Sequence, residues 1–433
     1  MADIKSSKDK KKSKSAGDLR IAYLAIGSFI LVGFIAGYFI LHNQHRKSIF
    51  HAWQNGWGDY GGYESEDLGI LREEVMKKVH HGPPKVVTVV LPSVVNPKGR
   101  QKRLQSIHDT WGPASRALYV VHNTSEFPEL SDKVISNATH PGTVHHQLHS
   151  YPRLLLVPPG ITVDQGVPRL LNVIETIHKV VNPEFAFFVN DHTFVIPEHL
   201  CKFLSTRDHT KPMYAGHALK ENQNAFNSGA AGYLLSRHTM KGLVDKWRED
   251  DSTCLAKGDK NMQWLQGNPG LVTATCLREA LHTTAEDTRD REGKHRFHAF
   301  GLVRSYTGQV DKWYQNKHKD MDKILETDEN YNMVKGGLDC CSEESVSFHY
   351  VEYLETRALY MIRQRLLKEP GMSDKDLMNL VKKEWPKKGK LGGYSHPLPD
   401  AKSDMERGIL PLLRSISSKK SQDYCFPVGS SKI

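Results

Sequence analysis

The sequence predicts an α/β domain: a mostly parallel sheet covered by helices, set behind a single N-terminal transmembrane helix. Two observations carry this. Short β-branched runs alternate with a helical stripe across short links, which is the pattern of strand–helix–strand units. Ahead of them, Ile21 to Leu41 runs 21 residues without a charge, enough to cross a hydrocarbon core of roughly 30 Å.

The elements follow in order. Seven basic and three acidic residues crowd the first 20 positions, and only Arg46 and Lys47 follow the apolar run closely. The positive-inside rule then makes 1–20 a cytosolic tail and 21–41 a signal anchor, with the remainder luminal. A cleaved secretory signal is the competing reading. The run is longer than such a signal's apolar region, and His42-Asn43-Gln44-His45 follows it without a small-residue cleavage site. Residues 42–83 are polar, rich in Gly and His, and read as a stem. From Val86 the texture changes. Lys85 to Leu91 is a buried-type strand stopped by Pro92, and residues 100–110 suggest a helix closing at Trp111-Gly112-Pro113. Ala117 to His122 and Leu154 to Val157 are further strands. Apolar residues at 170, 171, 174, 177, 180 and 181 make 167–181 a helical stripe, and Phe185 to Val189 is a fourth strand. Ligands of such sheets bind beyond the strands' carboxyl ends, which places Asn190, Asp191 and His192 in view. The body is expected over 84–365. Beyond it, 366–433 reads as a basic, partly ordered tail, with the stretch around 382–390 as a solvated linker.

The net charge of +10 is concentrated at one end: the first 20 residues hold +4 of it. The rest is thin, and no basic block interleaved with aromatics stands out, so nucleic acid is not the implied partner. All six cysteines (Cys201, Cys254, Cys276, Cys340, Cys341, Cys425) fall on the luminal side, as an oxidising compartment allows. Adjacent Cys340 and Cys341 are expected to pair elsewhere rather than with each other. Asn123 and Asn137 begin N-glycosylation sequons, which carry meaning only in a lumen.

The most informative stretch is 285–300. Glu286, Asp287, Asp290 and Arg289 sit within five positions, on a segment whose Thr288 and Gly293 suit a loop. Composition alone allows a solvated charged loop. A carboxylate beside an arginine is also a plausible general base, held ionised and oriented by the cation.

Four ordered blocks turn that choice. Phe187-Phe-Val-Asn-Asp-His-Thr-Phe-Val-Ile resembles a strand-plus-acid motif usually read Asp-Asp-Asp-Thr-Tyr-Val. Phe226-Asn-Ser-Gly-Ala-Ala-Gly-Tyr-Leu-Leu-Ser resembles a Ser-Gly-Gly-Ala-Gly-Tyr block. Glu286-Asp-Thr-Arg-Asp with Phe297-His-Ala-Phe, and Cys340-Cys-Ser-Glu-Glu-Ser-Val-Ser-Phe-His-Tyr-Val, complete the set. Together, over roughly 84–360, they resemble the β1,3-glycosyltransferase family that contains fringe, most of all its core-1 galactosyltransferase branch.

That resemblance implies a GT-A-type glycosyltransferase with a Rossmann-like sheet. The implied reaction moves galactose from UDP-galactose to the 3-OH of O-linked GalNAc on glycoproteins, with inversion. The protein would be a type II membrane protein of the Golgi or endoplasmic reticulum, with a homodimer left open. Asp287 maps onto the base, with Arg289 holding it ionised and Asp290 bracing the loop. Mn²⁺ would neutralise the leaving diphosphate. The resemblance maps its ligands onto Asp191, His192 and His349, and the nucleotide-sugar contacts onto Asn190, Trp111, Gly229 and Gly232. Without the resemblance, His349 reads as a half-buried histidine in an aromatic strand. Cys254–Cys276 is a reasonable disulfide, worth roughly 3 kcal/mol in the chain-entropy model.

The acid triplet departs from the family pattern. Asn190 carries no charge and His192 replaces an acid, so two negative charges are missing and metal should be held less tightly. This opens a second class of function: a catalytically silent luminal chaperone or binding protein. A transferase using UDP-N-acetylglucosamine or another acceptor is a third reading. The segment Lys260-Asn-Met-Gln-Trp-Leu-Gln-Gly-Asn-Pro also departs from the family, which leaves the acceptor open.

Overall fold

The computed structural model describes residues 85–93, 99–115, 117–123, 153–157, 166–221, 224–249, 254, 269–333, 335–387, 397–399 and 404–417. The expected cytosolic tail, transmembrane segment, the whole of the stem, Asn137 and Cys425 lie outside the described residues. Among the described residues no helix is long and apolar enough to cross a membrane. All of them belong to one compact unit.

The apolar runs fold as a twisted α/β layer. Strand β1 (Val86–Leu91) leads into helix α1 (Arg100–Asp109), and β2 (Leu118–Asn123) and β3 (Arg153–Val157) follow. Helix α2 (Gly166–Thr176) continues as a π-helical turn over Ile177–Val181, which ends at Asn182 with φ 47°. Next come β4 (Phe185–Asn190), β5 (Phe194–Val195), α3 (Pro197–Leu204) and β6 (Tyr214–Gly216). A hairpin of β7 (Ala218–Glu221) and β8 (Asn224–Asn227) precedes β9 (Tyr233–Ser236). Ser236 caps α4 (Arg237–Arg248) by accepting from the Thr239 amide, and α5 (Pro269–Leu281) follows.

The main sheet runs in the order β3-β2-β1-β4-β9-β6. β1, β2, β3 and β4 are mutually parallel, whereas β9 is antiparallel to both β4 and β6. The expectation of a mostly parallel core holds, with one reversed strand. Period-two alternation then sorts the core into two faces. Val90, Leu118, Val120, Phe185, Phe187, Val189 and Leu234 pack against α1 on one side. Val87, Val89, Tyr119, Val121, Ala186, Phe188 and Leu235 pack against α2, α4 and α5 on the other.

A second, three-stranded sheet joins distant parts of the chain. β11 (Ser347–Phe348) lies between β10 (Phe297–His298) and β5, parallel to the first and antiparallel to the second. Between β10 and β11 the chain forms α6 (Leu302–Thr307) and α7 (Lys312–His318).

After β11 the chain departs from expectation. Helices α8 (Tyr353–Lys368), α9 (Asp374–Glu384) and α10 (Leu410–Ser415) all contribute to the first face. Leu377, Val381, Trp385, Ile409, Leu412 and Leu413 are buried in the same cluster as Phe187. The body therefore runs to at least Ser417, and Lys382 and Lys383 end a packed helix instead of lying in a linker. Four-residue spacing of a few apolar side chains was enough, despite the basic surroundings.

The cysteines divide between expectation and correction. Cys254 and Cys276 are bonded, with Cα atoms 4.5 Å apart, and Cys201 is also in a disulfide. Cys340 and Cys341, expected to pair elsewhere, are bonded to each other with Cα atoms 3.7 Å apart. That spacing is shorter than ordinary bridges span. Both residues are buried, and Cys341 forms a parallel bridge with His295.

Candidate active site

The carboxyl ends of β1 and β4 meet at one edge, where Leu91 is in register with Asn190. β9 runs back from the same edge, with Tyr233 beside Phe188, and Gly216 at the end of β6 lies next to Tyr233. The chain turns sharply after β4. Asn190 Oδ1 accepts from the His192 amide and from the Thr193 hydroxyl, both at 2.9 Å, an Asx-type turn. Thr193 Oγ1 also lies 2.8 Å from the Ala230 carbonyl, so its one proton is shared between the two acceptors, tying this turn to the glycine-bearing loop before β9.

The small sheet delivers His349 to the same turn. β11 lies antiparallel to β5, so the residue after Phe348 returns towards the residues before Phe194. The Val351 amide donates to the His192 carbonyl at 2.9 Å. His349 Nε2 lies 3.1 Å from the Asn190 amide nitrogen, and its Nδ1 faces the Ala299 carbonyl at 3.3 Å. The His192 and His349 rings are 6.4 Å apart, edge to face. Burial drives both imidazoles neutral, His192 to about 4 and His349 to about 3.

Asp191 points the other way. Its Oδ1 accepts from the Ser93 amide at 2.6 Å and its Oδ2 from Arg103 Nε at 2.9 Å. Arg103 comes from α1, is fully buried, and reaches Glu352 at 3.8 Å. Glu352 in turn lies 3.5 Å from His192 Nδ1. Burial pushes the Glu352 carboxyl up; Arg103 opposes this and Asp191 adds to it. Sequence reasoning missed Arg103 and Glu352. Nothing marks an arginine on a mixed helix as the partner of an acid 88 positions on.

The three residues to which the resemblance assigns Mn²⁺ meet at this turn but face different partners. Asp191, His192 and His349 do not converge as donors, because the one carboxylate is committed to Arg103 and Ser93. Among the described residues no group of three His, Cys, Asp or Glu side chains comes together as a metal site. As placed, these residues do not fit the ion.

The 285–300 loop extends the same edge. Glu286 forms a parallel bridge with Ala215, and Thr288 Oγ1 donates to the Gly216 carbonyl at 2.7 Å. Glu286 itself pairs with Arg207. Asp287 is gripped on one side: Arg289 Nε donates to Oδ1 at 3.0 Å and Nη2 to Oδ2 at 2.7 Å, and the Arg289 amide adds 3.0 Å to Oδ1. The Asp287 side chain keeps 26% of its surface exposed, whereas Arg289 keeps 4%. Arg289 also meets Asp328 and lies 4.6 Å above the Tyr331 ring. Burial alone would lower its proton affinity, but the two carboxylates outweigh this and raise it. Asp290 braces the turn, accepting from the amides of Glu292 and Lys294 at 2.9 Å.

Beneath this pair lies a stack of rings that the sequence did not disclose. Tyr331 stacks on His318, which stacks on Tyr314 and His217. His217 receives the Tyr314 hydroxyl at Nε2, 2.7 Å, and faces the Phe297 carbonyl through Nδ1 at 2.8 Å. Burial takes His217 down to about 4 and His318 to about 3.

The other expected contacts separate. Trp111 is fully buried in the core of the first face, which suits packing below the edge. Gly229 is open, with only Tyr233 within 4 Å of a would-be Cβ. Gly232, at φ 91°, is fully constrained: a Cβ there would lie 2.7 Å from the Phe187 ring and 2.9 Å from Val189. Asn123 is the last residue of β2.

No family model matches the chain. A glycoprotein-N-acetylgalactosamine 3-beta-galactosyltransferase 1 of Xenopus laevis is 27% identical to it over 173 residues. Over that stretch the chain is similar to a 3-beta-galactosyltransferase. The match spans 39% of this chain and 42% of the relative, so the chain covers less than half of that protein's length.

Proposed function

We propose that the chain is an inverting glycosyltransferase that moves galactose from UDP-galactose to the 3-OH of O-linked GalNAc on glycoproteins. In this reading Asp287 takes the proton of the acceptor hydroxyl. The acceptor oxygen then bonds to the anomeric carbon as the bond to the UDP oxygen breaks on the opposite face. Arg289 holds the carboxylate oriented and keeps it from swinging into the loop. The single observation that carries the reading is this pair: a part-exposed carboxylate, gripped by a buried guanidinium, on the edge where the strands of the sheet end. The 27% identity to a galactosyltransferase supports the same class of reaction. A type II topology with a luminal body, as the N-terminal sequence implies, and residence in the Golgi or endoplasmic reticulum, as the family resemblance implies, complete the proposal.

A screen of the full-length chain for released UDP, across UDP-galactose, UDP-N-acetylglucosamine and UDP-N-acetylgalactosamine with GalNAc-peptide acceptors, tests it. Turnover with UDP-galactose is expected. Absence of turnover with every donor and acceptor would sink it. A second reading, a silent luminal binding protein or chaperone, is favoured by one observation: Asp191 is already bonded to Arg103.

A further inference from the structure

We infer that the Asn190–Asp191–His192 corner is closed on the protein's own donors and holds no divalent cation, so that a nucleoside diphosphate binds at this edge without one. The inference deepens the glycosyltransferase reading and borrows from it only the expectation of a nucleotide.

The acceptors of Asp191, Asn190 and His349 that an ion would need each have a named partner. Asp191 supplies the carboxylate of the triplet, and its two oxygens are bonded to Ser93 N at 2.6 Å and Arg103 Nε at 2.9 Å. Neither Asp191 nor Arg103 exposes more than 1% of its side chain. Freeing the carboxylate would take from a buried guanidinium the acid it holds at 2.9 Å, which a fold resists. Asn190 Oδ1 accepts two donors, from His192 N and Thr193 Oγ1. This fixes the amide so that its NH₂ end faces His349. His349 Nδ1 faces a carbonyl and must carry the proton, so its lone pair sits on Nε2 and is aimed at that NH₂ group, 3.1 Å away. Hard cations want several carboxylate oxygens, and the acid left over, Glu352, lies between Arg103 and His192.

The test is a Mn²⁺ titration of the full-length chain by electron paramagnetic resonance, with and without UDP, beside UDP binding by calorimetry in Mn²⁺ or in EDTA. The expected result is a free-ion spectrum with protein alone and, with UDP, the spectrum of Mn²⁺–UDP in buffer. UDP affinity should differ by less than about threefold between the two conditions. Stoichiometric Mn²⁺ on the chain, or tightening of UDP by about threefold or more with Mn²⁺, overturns the inference. A chain that binds neither Mn²⁺ nor UDP leaves the corner closed but overturns the metal-free nucleotide site, and the glycosyltransferase reading with it. The two failures are therefore distinct.

Discussion

Acidification should destabilise the fold through its buried imidazoles, and His217 isolates the effect. It is 2% exposed, and desolvation lowers it to about 4 from an ordinary 6.5, opposed only by its bond to the Phe297 carbonyl. The groups around it are Tyr314, His295 and His318, with ring centroids at 5.7, 4.8 and 5.7 Å. Because the folded value lies below the unfolded one, the unfolded chain takes up the proton first. Stability is therefore full above about 6.5 and falls as pH drops towards about 4. Between pH 7 and pH 5 this one residue costs about 2 kcal/mol. His217→Phe keeps a ring in place and removes the titration. It strands the Tyr314 hydroxyl, a loss of about 1–3 kcal/mol that is the same at both pH values. Urea unfolding of the full-length chain at pH 7 and pH 5 separates the two effects. The variant is expected to start lower and to lose about 2 kcal/mol less on acidification than the parent. If both proteins lose the same amount, His217 is not buried neutral and the account of the ring stack fails.

Three further outcomes are expected. Asp287→Asn should cut turnover by about 10²- to 10⁴-fold while UDP-sugar KM stays nearly constant; undiminished UDP release would remove this residue from the mechanism. Gly232→Ala should cost about 2–4 kcal/mol, combining overpacking against Phe187 and Val189 with a left-handed backbone, and a denaturation midpoint equal to the parent's would refute that packing. His192→Asp adds a carboxylate beside Glu352 and should bring Mn²⁺ binding into view by paramagnetic resonance, whereas a flat titration would show that position 192 does not face the corner.

The long elements were legible and the short ones were not. β1 and β4 show their β-branched and aromatic runs openly, because strands buried on both faces need no polar alternation. β5, β10 and β11 are two residues each, too short for any period, yet they bring His349 to Asn190. The 285–300 loop was legible by charge, and its Asp287–Arg289 pair forms as that charge pattern suggested. Asp191 shows the converse. A motif gives the identity of an acid but not its direction, and a guanidinium from α1 claims it. Composition also misled at the C-terminus, where lysines masked the spacing of Leu377, Val381 and Trp385. Adjacent cysteines were excluded from pairing by ordinary bridge geometry, which an adjacent pair does not have to obey.

The late helices set a condition on biosynthesis. Val90 and Phe187 share one apolar cluster with Ile409 and Leu413, some 320 positions later than the first of them. While the ribosome is still adding residues, the earliest strands have only α1 and α3 over one flank until α8, α9 and α10 have emerged. Such a nascent chain offers greasy surface for a long interval, so its maturation depends on holdases more than that of a protein whose core closes early.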